Sequence, residues 1–137
     1  MIEEPTRGLL DTSTLLNLAA LKAMDLPEQL EICTITLAEL SVGPLVAATD
    51  QDRVARQLHL QQAEADFDPV PFDAAAARAF GLVAASLRQA GRKPAARAYD
   101  ALIAATAIAN DLPLYTSNPS DFEGIMGLDV RAVTPQI

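Results

Sequence analysis

Four short stretches of this chain each place a carboxylate at the edge of an apolar segment. They are Leu9-Leu10-Asp11-Thr12-Ser13, Thr36-Leu37-Ala38-Glu39-Leu40, Tyr99-Asp100-Ala101-Leu102-Ile103 with its apolar sequel to Ala107, and Thr116-Ser117-Asn118-Pro119-Ser120-Asp121-Phe122. None has a nearby Lys or Arg that clearly neutralises it. Like charges gathered at one place repel and desolvate badly. A fold that brings the four together needs a cation to hold them, so the set is a candidate metal centre. Oxygen-only ligands suit Mg2+ or Mn2+. His59 is the only histidine, which excludes a His-rich zinc site. Ions of that kind orient phosphate esters and lower the pKa of an attacking water.

Each stretch also has a plain structural explanation. Asp11 precedes a helix and can act as its N-cap, although Thr12 or Ser13 could cap equally well. Thr36 and Glu39 form the T-x-x-E pattern of a capping box. Asp100 lies in a first helical turn, where an acid suits the helix dipole. Yet the helix it opens is apolar throughout, so a dipole role alone sets a carboxylate near the core. Asn118 before Pro119 is an ordinary turn residue, and Asp121 can cap a short helical turn. The joint pattern is harder to explain this way, and the elements that carry the acids show why.

Gly8-Leu9-Leu10 reads as a short strand ending at Asp11. A helix follows from about Ser13 through Leu15, Leu16, Leu18 and Leu21. Residues 31–35 read as a second strand, and Thr36 opens a helix that Gly43-Pro44 bends or ends. Residues 50–66 form a polar amphipathic helix with Val54, Leu58 and Ala63 on its buried side. Asp68-Pro-Val-Pro-Phe72 reads as a short edge strand. Asp73 caps a helix whose Phe80, Val83, Ala84 and Leu87 follow the spacing of one buried face, with Gly91 as its stop. The helix near Asp100 is apolar almost all round and therefore buried. Strands at 112–116 and 128–133 complete the chain. Alternating strands and helices imply a three-layer α/β/α sandwich with a mainly parallel central sheet. Ligands in such sheets bind beyond the C-terminal strand ends. All four acidic stretches can face that edge.

The chain has 137 residues, half of them apolar, which favours a single domain over 1–137 with a real core. No apolar stretch reaches the roughly 18–20 residues needed to span a membrane. The N-terminus lacks the pattern of a signal peptide. Cys33 is the only cysteine, read as a buried small hydrophobe. These features fit a cytoplasmic location. The net charge of −8 at first argues against nucleic acid. The distribution says otherwise. Residues 78–97 hold Arg78, Arg88, Arg92, Lys93 and Arg97 and no acid, so that window carries +5 and the rest of the chain −13. A solvated helix face and a phosphate-binding segment are equally good readings of it.

The four motifs together resemble those of the PIN domain, and the nearest likeness is to VapC-type toxins of bacterial toxin–antitoxin pairs. The resemblance runs from about Gly8 to Val133. Its most specific part is Asp100 with its apolar sequel. The resemblance implies an α/β/α domain with an acidic pocket for Mg2+ or Mn2+, and endoribonuclease activity. It also implies a small VapB-like antitoxin as inhibitor, and often a homodimer. On this carry-over Asp11, Glu39, Asp100 and Asp121 carry the chemistry, with Asp11 and Asp100 as the principal metal ligands and Glu39 completing the set directly or through water. The fourth acidic position is shared between Asn118, an amide where the motif allows an acid, and Asp121. Thr116 and Ser13 support the acids by hydrogen bonds, and Arg88, Arg92, Lys93 and Arg97 hold the RNA backbone. Two alternatives stay open: a PIN-like nuclease of RNA processing that is not a toxin, and a module that binds RNA or protein without cutting. A phosphohydrolase with Asp11 as nucleophile is remote, because the acid that chemistry places two residues later is Ser13 here.

Overall fold

In the computed structural model, which describes residues 4–136 apart from the side chain of Ala96, strand β1 (Arg7–Leu10) lies inside a four-stranded sheet. The strand order is β2-β1-β3-β4, with β2 at Gln29–Glu31, β3 at Leu114–Thr116 and β4 at Val130–Ala132. Every pairing is parallel. Successive strand residues face opposite sides of a sheet, and the core divides accordingly. Leu9 and Leu114 pack on one face with Val83 and Leu87 of α4 (Ala74–Gln89) and with Ile103 and Ala104 of α5 (Ala98–Ala109). Leu10 and Tyr115 pack on the other, with Leu15 of α1 (Thr12–Leu16), Leu40 of α2 (Thr34–Val42) and Ala63 of α3 (Asp50–Asp66). The three expected layers follow from that alternation. Each fully buried Leu in them contributes roughly 1.5–3 kcal/mol.

Helix ends follow local chemistry. Asp73 accepts a hydrogen bond from the Ala76 N–H and caps α4. At the other end Gly91 takes φ +76°, and the N–H groups of Gly91 and Arg92 close back on the carbonyls of Arg88 and Leu87. The ring of Tyr115 lies so close over Gly8 that a Cβ there would overlap it, which accounts for a glycine inside β1.

Several expectations need correction. The first helix stops at Leu16 instead of reaching Leu21, because Asn17 turns its side-chain amide back onto the Ser13 carbonyl and Leu21 bridges to Pro135. The proposed strand at 68–72 is reduced to a single bridge between Val70 and Cys33, since Pro69 and Pro71 have no N–H to donate. On α3, Val54 and Leu58 are more than half exposed. The inward stripe is instead Leu60, Ala63 and the adjoining Phe67, with Arg56 on the same side donating to the Gly43 carbonyl. Among the described residues, no helix is long and apolar enough to cross a membrane.

Candidate metal centre

The parallel pairing of Leu10 with Tyr115 sets the next residues of both strands, Asp11 and Thr116, side by side at the C-terminal sheet edge. Asp11 is only 3% exposed. It occupies the N-cap position of α1, yet its side chain makes no capping bond. Its Oδ2 accepts from Thr116 Oγ1 at 3.0 Å and from Ser13 Oγ at 3.4 Å. Its Oδ1 is buried without a partner. Burial holds the Asp11 carboxyl above its ordinary pKa, and the Thr116 hydroxyl together with the nearby dipoles of Thr14 only partly offsets this.

Glu39 reaches the same edge from α2. That helix opens at Thr34 with Cys33 as its N-cap, so Thr36 and Glu39 lie inside it and do not form a capping box. Thr36 is fully buried. Thr12 donates its hydroxyl at 2.7 Å to Glu39 Oε1 and lies 3.0 Å from Thr36 Oγ1. Burial raises the Glu39 pKa, the Thr12 hydroxyl lowers it, and the charge of Asp11 raises it again.

Asp100 stands in the first turn of α5. Its pKa is pushed up to about 6, first by burial and then by the charges of Asp121, Asp11 and Glu39, with Arg97 acting the other way. Asp100 thus feels the charges of the other three acids, and Glu39 feels that of Asp11. Among the described residues, no three Asp, Glu, His or Cys side chains converge to joint metal-ligating distance in these rotamers. An unpartnered, buried Asp11 oxygen amid acids that repel one another fits a hard divalent cation.

The last stretch is divided. Asn118 donates its amide to Ser13 Oγ at 3.1 Å, and its N–H bonds to Thr116 Oγ1 at 3.0 Å. Asp121, in the 3-10 turn Pro119–Phe122, takes an ion pair from Arg97 at 2.7 Å. The expectation that no nearby base neutralises the acids therefore fails for Asp121. Arg97 sits in the 3-10 turn Pro94–Arg97, directly before α5. The basic segment is not uniform either. Arg92 donates to the main-chain carbonyls of Ser120 and Glu123, at 3.1 and 2.8 Å, which fixes the loop after Asn118. Arg88 and Lys93 are exposed.

Sequence reasoning gave no role to Thr12 beyond capping and none to Thr14, whose buried hydroxyl accepts the Ser117 N–H at 3.1 Å. The available signal was a run of three hydroxyl residues directly after a strand-ending acid. A cavity of about 670 Å³ is lined by Leu15, Leu16, Leu18, Leu30 and Phe67, with Glu28, His59 and Asp66 also in its wall. A neighbouring cavity of about 300 Å³ includes Thr12 and Glu39 in its wall, and Leu16 and His59 line both.

The family profile of the PIN domain matches residues 9–125. The chain is 35% identical over 130 residues to Ribonuclease VapC5 of Mycobacterium tuberculosis (strain ATCC 25618 / H37Rv), covering 93% of each protein. It is 36% identical over 101 residues to Ribonuclease VapC8 of the same species, covering 73% of this chain and 89% of that one. The crystal structure of VapBC-5, a member of the VapBC family of toxin–antitoxin systems from M. tuberculosis, superposes with a TM-score of 0.80 at 35% identity, covering 95% of this chain and 99% of the other. VapBC2 from Rickettsia felis shares the fold, with a TM-score of 0.74 at 23% identity over 93% of this chain and 99% of the other. Such relatives imply use of a divalent metal ion. The chain belongs to the PIN-domain family, among its VapC proteins.

Proposed function

We propose that this protein is a metal-dependent endoribonuclease, the toxin of a toxin–antitoxin pair, which hydrolyses RNA phosphodiester bonds at the acidic sheet edge. The observation that carries the reading is Asp11, a buried carboxylate with one oxygen unpartnered, set among Glu39, Asp100 and Asp121. Asp11 and Asp100 are the residues to hold a Mg2+ or Mn2+ ion, and Glu39 completes the set. When bound, the ion supplies Lewis-acid polarisation of the phosphodiester and a more acidic water. Thr116 and Ser13 fix the Asp11 carboxylate so that Oδ1 stays free, and Thr12 fixes Glu39. The exposed Arg88 and Lys93 attract the RNA backbone. The acids repel phosphate until their charge is offset, so metal binding and RNA binding are coupled.

The relatives' toxin–antitoxin pairing supports a small VapB-like antitoxin as partner. The groove lined by Leu15, Leu16, Leu18 and Phe67, with Glu28, His59 and Asp66 also in its wall, is its proposed seat. Leu16 borders both cavities, so a segment lying in the larger one reaches the wall that holds Glu39. A homodimer is the proposed assembly. The end of α2, the 3-10 turn Gly43–Val46 and α3 carry Val42, Leu45, Val46, Val54 and Leu58, each at least 45% exposed.

Expression without an antitoxin tests the reading. The wild-type chain should arrest growth and fragment cellular RNA, and Asp100→Ala should do neither while keeping its fold. An Asp100→Ala protein that cuts RNA at the wild-type rate overturns the assignment.

A further inference from the structure

We propose that Arg97 is a resident second cation of the acidic centre, so that the centre takes one divalent ion per chain and not two. This rests on the metal-centre reading above. Two observations and one property of arginine carry it. Arg97 Nη1 lies 2.7 Å from Asp121 Oδ1, so one oxygen of this acid is already engaged by a fixed positive charge. An arginine stays protonated at any working pH and donates through a planar fork, which makes it a lasting counter-ion for a carboxylate. The other candidate for the fourth acidic position, Asn118, brings no charge, and its amide nitrogen is committed to Ser13 Oγ at 3.1 Å.

The centre is thus asymmetric. On one flank Asp11 has a free buried oxygen with Glu39 and Asp100 nearby. On the other, Asp121 is paired and Asn118 is neutral. Two-metal sites hold a pair of ions about 3.5–4 Å apart, and a second hard ion calls for further oxygen donors, carboxylates above all. Here only the first flank offers them. The Arg97–Asp121 pair is more than a third exposed on both sides and contributes little to stability, so a variant lacking it folds.

The test is Mn2+ titration of the intact chain, read by calorimetric stoichiometry and by electron paramagnetic resonance. Wild type should bind one Mn2+ with the spectrum of an isolated ion. Arg97→Lys should do the same, because it keeps the charge. Arg97→Gln should admit a second ion with a spin-coupled spectrum. Adding Asn118→Asp to it should tighten that second ion at least tenfold, and adding Asp121→Asn should remove it. Two coupled ions in the wild type overturn the proposal, as does a double variant Arg97→Gln/Asn118→Asp that still takes one. No Mn2+ bound by the wild type overturns the metal-centre reading itself. One Mn2+ in every variant leaves that reading intact and overturns only the role given to Arg97.

Discussion

Thr116 Oγ1 donates to Asp11 Oδ2 at 3.0 Å and so ties together the C-terminal ends of two adjacent parallel strands. Both side chains are buried. The bond leaves Asp11 with one satisfied oxygen and one free. Thr116→Val keeps the shape and removes the donor. Stranding a buried charged acceptor costs about 1–3 kcal/mol, so urea unfolding in EDTA should show a loss of that size, and Thr116→Ser should recover most of it.

The acids make stability depend on pH in an unusual direction. Asp11, Glu39 and Asp100 all have raised pKa values in the fold. The folded chain therefore binds more protons than the unfolded one between the ordinary Asp value of 3.8 and about 6. Stability from these groups is full below that window and is lost as pH rises through it. Melting curves in EDTA should fall across this range. Saturating Mn2+ should reverse the slope, because the ion binds only the ionised acids and protons compete with it.

Asp100→Asn should separate stability from activity. It removes a charge that three other acids oppose. In EDTA at pH 7 the variant should melt higher than wild type, by roughly 2–4 °C for each kcal/mol recovered. Its RNA cleavage should drop by at least a factor of about 100, a loss near 2.7 kcal/mol of transition-state stabilisation. Differential scanning fluorimetry and a cleavage assay on one preparation check both signs.

Much of this arrangement was legible in the sequence because it rests on local rules. Asp11 follows a four-residue strand whose last three positions are buried, and Asp100 lies in the first turn of a helix too apolar to be a surface helix. Those two facts, with parallel topology, bring the acids to one edge. Relations between segments distant along the chain were not legible. The T-x-x-E pattern suggested a capping box, but α2 starts two residues earlier, since Thr34 N–H and Phe72 N–H pair the chain across to the Val70 segment. The Arg97–Asp121 pair joins residues 24 apart and depends on how two 3-10 turns meet. The stripe of α3 was misplaced because a mostly polar helix offers two weak apolar faces, and only packing against Leu40 and Leu10 chooses between them.

Leu16 is 44% exposed and borders both cavities, the smaller of which includes Glu39 in its wall. Leu16→Glu should cost the isolated chain little stability, since the side chain already faces solvent in part. It should weaken capture of the antitoxin at least tenfold, about 1.4 kcal/mol. Surface-based binding kinetics with the purified antitoxin should show the change, mainly in the dissociation rate.

Cleavage of total RNA by the purified, EDTA-dialysed wild-type chain, followed by titration with Mn2+ and mapping of the cut ends, tests the central claim most directly. The account predicts intact RNA in EDTA and discrete cuts that appear in step with occupancy of the metal centre. Undiminished cleavage at the same positions in EDTA would contradict it.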